Sequence, residues 1–302
     1  MHQAREMMFG FRDHFSYAEC LGCGSLRLMD PPAEMSRYYP STYYSQNSGE
    51  ASLAKGVRAQ VRKHVNRFRM TAKPIGAFLQ RLHPEQDFQA LAAFDLARGK
   101  SLLDVGCGSG VYLRKLREAG VQAVGVDPFV GADIKDEFGI RVFCRHLADL
   151  PGTWDNIRMH HSLEHIQNQL GTLQLIKDRL ASTGRCLITL PLVSAAWRQY
   201  GVNWVQLDAP RHMFLHTERS MRSLARKAGL FVKSVTYNST EFQFWGSELY
   251  RRDIALNDGK KLNLFTPEQM AGYRRRAEQL NSERLGDQAT FEIVHLKAQR
   301  SA

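Results

Sequence analysis

The sequence predicts an α/β fold, a doubly wound, mostly parallel seven-stranded sheet with a small N-terminal module. Three observations carry that expectation. From about Ser101 short apolar runs alternate with helical stretches, the texture of βαβ units around a parallel sheet. The first run, Leu102-Leu103-Asp104-Val105, empties into three alternate glycines, Gly106, Gly108 and Gly110, and then into a helix. The next run, Val124-Gly125-Val126, ends on an acid, Asp127.

The elements follow in chain order. Residues 1–48 are rich in aromatics and broken by Pro31, Pro32 and Pro40, a compact module too small to stand alone. Residues 49–95 read as a basic helical linker or lid. Eight Lys or Arg and no acid lie between Glu50 and Glu85, and Leu53, Val57, Val61, Val65 and Phe68 recur at helical spacing. Residues 96–302 form the main domain, with strands expected at 101–105, 122–126, 140–144, 156–160 and 185–190 and a closing antiparallel pair at 231–237 and 290–297. Val111, Leu113 and Leu116 give the helix after the glycines its inner side, and Gly120 is placed to end it. An insertion at about 240–287 carries Phe242, Phe244, Trp245 and Tyr250. It reads as helical, and either as core or as a lid beside the sheet edge.

Composition bounds the function. The 302 residues hold 41 basic and 30 acidic side chains, a net charge of +11, and 43% apolar content, which excludes disordered and fibrous classes. No run reaches the about 18 apolar residues of a membrane-spanning helix, and the opening lacks the apolar segment of a secretory signal. Five scattered cysteines give no disulfide framework. A cytoplasmic location is expected. The charge excess by itself suits nucleic acid, an anionic membrane face or a phosphorylated substrate equally.

Glycines are needed where a ligand lies against the backbone, and the following helix N-terminus offers free N–H groups. A dinucleotide-binding loop would want Gly or Ala at the position held by Val111, which argues against a dehydrogenase. The pattern Asp104-x-Gly106-x-Gly108-x-Gly110 instead resembles the first motif of class I S-adenosylmethionine-dependent methyltransferases, whose fold is Rossmann-like. That resemblance implies that Asp104, Gly106, Cys107, Gly108 and Gly110 hold the amino-acid end of S-adenosyl-L-methionine and that Asp127 holds its ribose hydroxyls. It also places Asp149 near the adenine amine; the alternative is that Asp149 caps the turn before Pro151.

The segment His161-Ser162-Leu163-Glu164-His165 formally matches the zinc signature of inverted metallopeptidases. That reading fails because those enzymes need both histidines on one long helix, whereas a strand is expected to end here. The segment resembles the fourth motif of the type 11 and type 23 methyltransferase families. By that resemblance His161 faces the cofactor while Glu164 and His165 support the pocket floor; a buried, hydrogen-bonded His165 is the plainer alternative. Leu207-Asp208-Ala209-Pro210-Arg211-His212 resembles the same families, where such a segment precedes a Thr-capped helix, here at Thr217. Asp208, Arg211 and His212 are therefore the catalytic candidates on the substrate side. An imidazole can take the proton of a hydroxyl acceptor at neutral pH, while an Asp-x-x-Arg pair is also a common loop brace.

Cys20-Leu21-Gly22-Cys23 has the spacing of one zinc knuckle, and a closed site needs two more ligands. In the resembling families a four-cysteine ribbon precedes the catalytic domain. Here the first pair is absent, so either the ribbon is degenerate or truncated, or His2 and His14 complete it, or no metal binds. The expected function is methyl transfer from S-adenosylmethionine to a small-molecule acceptor, an oxygen of a sugar or of a glycan-linked or lipid-linked intermediate, phosphorylated acceptors included. The basic helix suits peripheral contact with an anionic membrane. An RNA-directed methyltransferase and a noncatalytic cofactor-binding scaffold are the rivals. Against nucleic acid, His160-His161-Ser162-Leu163 stands where base-amine methyltransferases carry Asn/Asp-Pro-Pro-aromatic.

Overall fold

The computed structural model describes residues 1–40, 94, 99–118, 121–136, 139–258 and 264–296. The basic helix expected within 49–95 and the cap expected at Gly120 lie outside these residues.

Two sheets organise the chain. The larger has the order β11-β12-β9-β8-β4-β5-β7-β6. Its centre is five parallel strands, β4 (Leu102–Val105), β5 (Ala123–Val126), β7 (Arg141–Phe143), β8 (Trp154–His160) and β9 (Leu180–Pro191). Leu102, Leu103, Val126, Val142, Ile157 and Met159 are buried, as strands covered on both faces require. Helix α1 (Val111–Glu118) follows β4 and α2 (Gln169–Arg179) follows β8. At one edge β11 (Leu230–Tyr237) and β12 (Gln288–His295) add the expected antiparallel pair, β12 lying against β9.

The sheet has eight strands where seven were expected. The extra one is β6 (Ile134–Lys135), antiparallel to β7. It forms because Asp136 closes a tight turn, its carbonyl accepting from Gly139 N at 3.0 Å and its Oδ1 from Ile140 N at 2.9 Å. The strand expected at 185–190 is also longer, β9 running from Leu180 to Pro191, since it is paired on both edges.

The second sheet is antiparallel and four-stranded, in the order β1 (His2–Arg5), β2 (His14–Glu19), β3 (Leu26–Leu28) and β10 (Phe214–Leu215). Its fourth strand comes from the main domain, so the N-terminal residues do not form a separate body. The two layers share a core in which Tyr17, Leu26 and Leu28 pack with Trp197, Trp204, Leu215, Phe244 and Leu280. Phe244 and Leu280 belong to the insertion, whose helices are α5 (Phe242–Arg251) and α6 (Pro267–Ser282), preceded in the chain by α3 (Ala195–Tyr200) and α4 (Glu218–Lys227). The buried aromatics of the insertion, Phe244 and Tyr250, are therefore core residues.

One buried ion network pins the layers together. Arg211, 0% exposed, donates from Nη2 to Glu6 Oε1 at 2.9 Å and to Asp208 Oδ1 at 2.6 Å, from Nε to Asp208 Oδ2 at 3.0 Å, and from Nη1 to the Tyr38 carbonyl at 3.1 Å. Glu6 also accepts from Phe9 N and Phe11 N. Nearby, α4 is started by a capping box between Thr217 and Ser220, and the buried His216 bridges Ser220 Oγ at 2.9 Å and Gln169 Oε1 at 2.7 Å.

Two outcomes follow from these buried charges and rings. Arg211→Met strands two carboxylates in the core and should destabilise the fold by about 3–5 kcal/mol in urea unfolding, whereas Glu6→Gln, which keeps a hydrogen-bonding shape, should cost less. Burial pushes the His216 imidazole down to about 4, so the folded chain resists a proton that the unfolded chain accepts. Its contribution to stability is complete above the unfolded value near 6.5 and is lost as pH falls toward 4, by ~3 kcal/mol; the unfolding free energy of His216→Gln should fall less steeply over that interval.

Candidate functional site

The glycine loop lies where β4 hands over to α1. Gly106, Gly108 and Gly110 have φ of 72°, 54° and 78°, the left-handed region that favours glycine. At Gly106 there is also no room for a side chain, since a Cβ would stand 2.5 Å from Ser162 Cβ. Asp127 locks the loop from the next strand: its Oδ2 accepts from Gly108 N and its Oδ1 from Phe129 N, both at 2.9 Å. The loop lies at the C-terminal end of β4, where ligands of open α/β folds sit, and its glycine N–H groups donate to the Val126 carbonyl, Asp127 Oδ2 and the Cys107 carbonyl.

Asp104 lies within β4, two residues before Gly106. It is 1% exposed and its two oxygens accept from Arg158 Nη1 at 2.9 and 3.1 Å. The pairing of β4 with β8 sets these residues side by side, and the guanidinium rests 3.7 Å from the centre of the Tyr112 ring. Burial raises the Asp104 carboxyl and Arg158 opposes that shift. Asp104 thus anchors the loop from below. Burial pushes the Cys107 thiol up, and a Cβ on Gly125 would overlap its sulfur. Asp149, itself exposed, ends a 3-10 turn, Leu147–Asp149, beyond β7, in which Leu147 is buried.

A second group of polar side chains gathers beside the loop, brought together by two segments. After β8, His161 adopts φ 49° and the chain turns into a short 3-10 helix, Leu163–His165, directly after the Ser162 that packs on Gly106. From the other side comes the loop of Asp208, Arg211 and His212, tied on by Met213 N donating to the Glu164 carbonyl at 2.8 Å. His161 Nδ1 lies 3.1 Å from Glu164 Oε1. The Glu164 carboxylate is 1% exposed, and its Oε2 has no hydrogen-bond partner among the described residues. His165 Nδ1 lies 2.9 Å from the Arg211 carbonyl and 3.1 Å from Tyr39 Oη, and His212 Nδ1 lies 2.7 Å from the Gln206 carbonyl. The two rings meet edge to face at 4.7 Å.

Electrostatics sharpen this group. Burial would lift the Glu164 carboxyl, but the bond to His161 and the nearby imidazoles outweigh it and bring it down to about 2. Burial, with His212 adding to it, holds His165 down to about 4, so the ring is neutral at pH 7. The site therefore presents a carboxylate beside a neutral imidazole. Asp208 is held by Arg211 and lies 3.8 Å from His212 Nε2. Of the three substrate-side candidates, Arg211 is wholly enclosed and His212 is the one that joins Glu164 and His165.

The cysteine pair sits on the β2–β3 turn, closed by Gly24 N donating to the Cys20 carbonyl at 2.7 Å. Cys20 is exposed, its thiol held below the ordinary value chiefly by hydrogen bonds from Cys23. Neither histidine completes a zinc site. His2 bonds Glu19 at 3.0 Å, and His14 starts the strand that Glu19 ends, just before Cys20. Among the described residues the pair gathers no third ligand, and the one group with metal-ligand geometry is Glu164, His165 and His212.

Sequence reasoning missed Arg158, Glu6 and Tyr39. Arg158 left a signal, a lone charge inside the apolar strand Ile157-Arg158-Met159; the other two left none, because their partners are distant in the chain. The Gly106 geometry predicts that Gly106→Ala, which collides with Ser162 and strains the backbone, lowers affinity for S-adenosylmethionine at least tenfold by isothermal titration while far-ultraviolet dichroism stays native.

A family model described as a methyltransferase domain, type 23, matches residues 76–235, more than half of the chain. The ubiquinone biosynthesis O-methyltransferase of Pseudomonas paraeruginosa (strain DSM 24068 / PA7) is 26% identical over 163 residues, covering 46% of this chain and 69% of that protein. The protein of the same name from Pseudomonas aeruginosa (strain LESB58) is 25% identical with the same coverage. Among solved structures, the O-methyltransferase of a trans-AT PKS multienzyme of Brevibacillus brevis, in complex with S-adenosyl-L-homocysteine, aligns with a TM-score of 0.43 at 14% identity, over 77% of this chain and 80% of that one. A chain from a complex of the Haloferax volcanii Trm112 methyltransferase activator aligns with a TM-score of 0.48 at 17% identity, over 76% and 96%. These structural likenesses are distant, and the strand order described above gives the architecture without them. With the family matched across the glycine loop and Asp127, the chain belongs to the type 23 methyltransferase-domain family and is a class I S-adenosylmethionine-dependent methyltransferase.

Proposed function

We propose that the acceptor is the hydroxyl oxygen of a small molecule, methylated beside the Glu164–His165–His212 group. The observation that carries this reading is that group itself, a buried carboxylate and two imidazoles set next to the loop, with the tie between Met213 and Glu164 holding its halves together. The curated relatives are named O-methyltransferases, which supports oxygen as the acceptor atom.

The residues present fit the cofactor. Gly106 and Gly108 are half-buried at the C-terminal end of β4, where the amino-acid end would lie, and Asp127, which accepts from Gly108 N, would take the ribose hydroxyls. S-adenosylmethionine, when bound, supplies an electrophilic methyl whose leaving group departs neutral, so positioning the acceptor and easing the loss of its proton are the tasks left to the protein. We assign Glu164, His165 and His212 to engage the acceptor hydroxyl, with Asp208 and Arg211 as positioning residues behind His212.

The acceptor class proposed is a sugar, or a glycan-linked or lipid-linked intermediate, phosphorylated in some cases; a cavity of about 560 Å³ just beyond the C-terminal end of β9 is lined by none of Glu164, His165 and His212. Leu192, Ser194 and Thr217 line it together with Arg198, Arg219 and Arg284. No helix among the described residues is long and apolar enough to cross a membrane.

The test is a panel of sugar and phenol acceptors, with and without phosphate, incubated with the purified protein and methyl-labelled cofactor. Product carrying the label on oxygen is expected, and His212→Gln should lower kcat at least 100-fold with cofactor affinity unchanged. Label appearing on nitrogen or carbon would overturn the assignment.

A further inference from the structure

We propose that Glu164, His165 and His212 bind one divalent transition-metal ion, leaving coordination positions open for oxygens of the acceptor. The inference rests on the reading of this group as the acceptor end of the site, and it specifies how the group engages a hydroxyl.

Four observations point to an ion. One ligand atom from each of the three side chains lies within 4.8 Å of the others. Donors around one ion at about 2.0–2.2 Å sit about 3 to 4 Å apart, so side-chain rotation of about 1 Å closes the set. The tautomers are set for it: both imidazoles face main-chain carbonyls with Nδ1, His165 that of Arg211 and His212 that of Gln206. A proton on each Nδ1 leaves Nε2 as a bare lone pair, the usual outer-shell arrangement of metal-bound histidine. Thirdly, Glu164 Oε2 is buried without a hydrogen-bond partner among the described residues, while Oε1 is held by His161. An unsatisfied carboxylate oxygen in the interior is costly, and a cation would satisfy it. Finally, the backbone is fixed around the group by the Met213–Glu164 bond and by Arg211.

Two imidazoles and one carboxylate suit Mn²⁺, Fe²⁺, Co²⁺ or Zn²⁺ better than Ca²⁺, which prefers an all-oxygen shell. Three protein ligands leave a site open, the pattern of a catalytic rather than a structural metal. An acceptor hydroxyl bound there loses its proton more readily, as metal-bound water does. An acceptor with two neighbouring oxygens would be favoured because it can chelate. The peptidase motif remains refused, since the third ligand is His212 and not His161.

The test uses the full chain carrying Cys20→Ser and Cys23→Ser, so that thiolates do not compete, after dialysis against chelator. Titration with Co²⁺ alone, read by visible absorption and calorimetry, should show one ion per chain, and Mn²⁺ should raise the melting temperature. Glu164→Gln and His212→Gln should each weaken Co²⁺ binding at least tenfold. If either variant fails to fold, paramagnetic broadening of the His165 and His212 ring signals by Co²⁺ in the parent chain gives the same answer. Absence of saturable binding at millimolar Co²⁺, or binding unaffected at these residues, overturns the site. Oxygen methylation that persists unchanged in chelator, with no ion bound, would defeat the metal and leave the oxygen acceptor standing. Ion binding with transfer only to nitrogen or carbon would do the reverse.

Discussion

The buried guanidinium of Arg211 is the constraint on which the joining of the two sheets depends. A charge removed from water needs partners on every side, and here they come from three places: Glu6 in the N-terminal layer, Tyr38 at the end of that layer, and Asp208 three residues away. A single arginine therefore fixes how the small sheet meets the large one. Its own carbonyl then receives His165 Nδ1, so the same residue that joins the layers also sets a ring in the site. Packing around it is apolar, with the Phe9 ring 5.4 Å from the guanidinium. Such a network brings specificity of arrangement more than net stability, because desolvating three charges consumes much of the attraction they gain.

The cofactor half uses the same device on a smaller scale. Asp104 and Arg158 are lateral neighbours in adjacent parallel strands and neutralise each other beneath the loop. The loop above is held by Asp127, with its glycine N–H groups donating to Val126, Asp127 and Cys107. The Asp104–Arg158 pair thus stands in for apolar contacts at the C-terminal end of β4.

What could be read from the sequence was local. The glycine loop, Asp127, the parallel strands and the capped helix after Thr217 all follow from spacings within some thirty residues. What escaped was set by pairing between distant segments. Strand β10 is two residues long, too short for any alternation, and exists because Leu26–Leu28 offers it an edge. Asp104 has the motif of a ligand-binding acid, yet its partner is settled by register with β8, which no local pattern records. Glu164, His165 and His212 were each picked out, but as members of two separate motifs; only the fold of the Asp208 loop over the 3-10 turn makes them one group. The cysteine pair shows the converse, a spacing that promised a zinc site and a turn around which the described residues bring no further ligands.

The N-terminal layer gives this division a further meaning. The span matched by the methyltransferase family, residues 76–235, contains the donor loop and the histidines, but Glu6, Tyr17, Tyr38 and Tyr39 lie before it and Asp287 beyond it. Tyr17 Oη donates to the His212 carbonyl at 2.8 Å, and Asp287 holds the buried Trp204 indole at 2.9 Å. The shared domain therefore carries the glycine loop and the histidines, while side chains on either side of it brace the Asp208–His212 loop and Trp204. Cut to the shared domain alone, the chain would leave Arg211 with one of its two carboxylates.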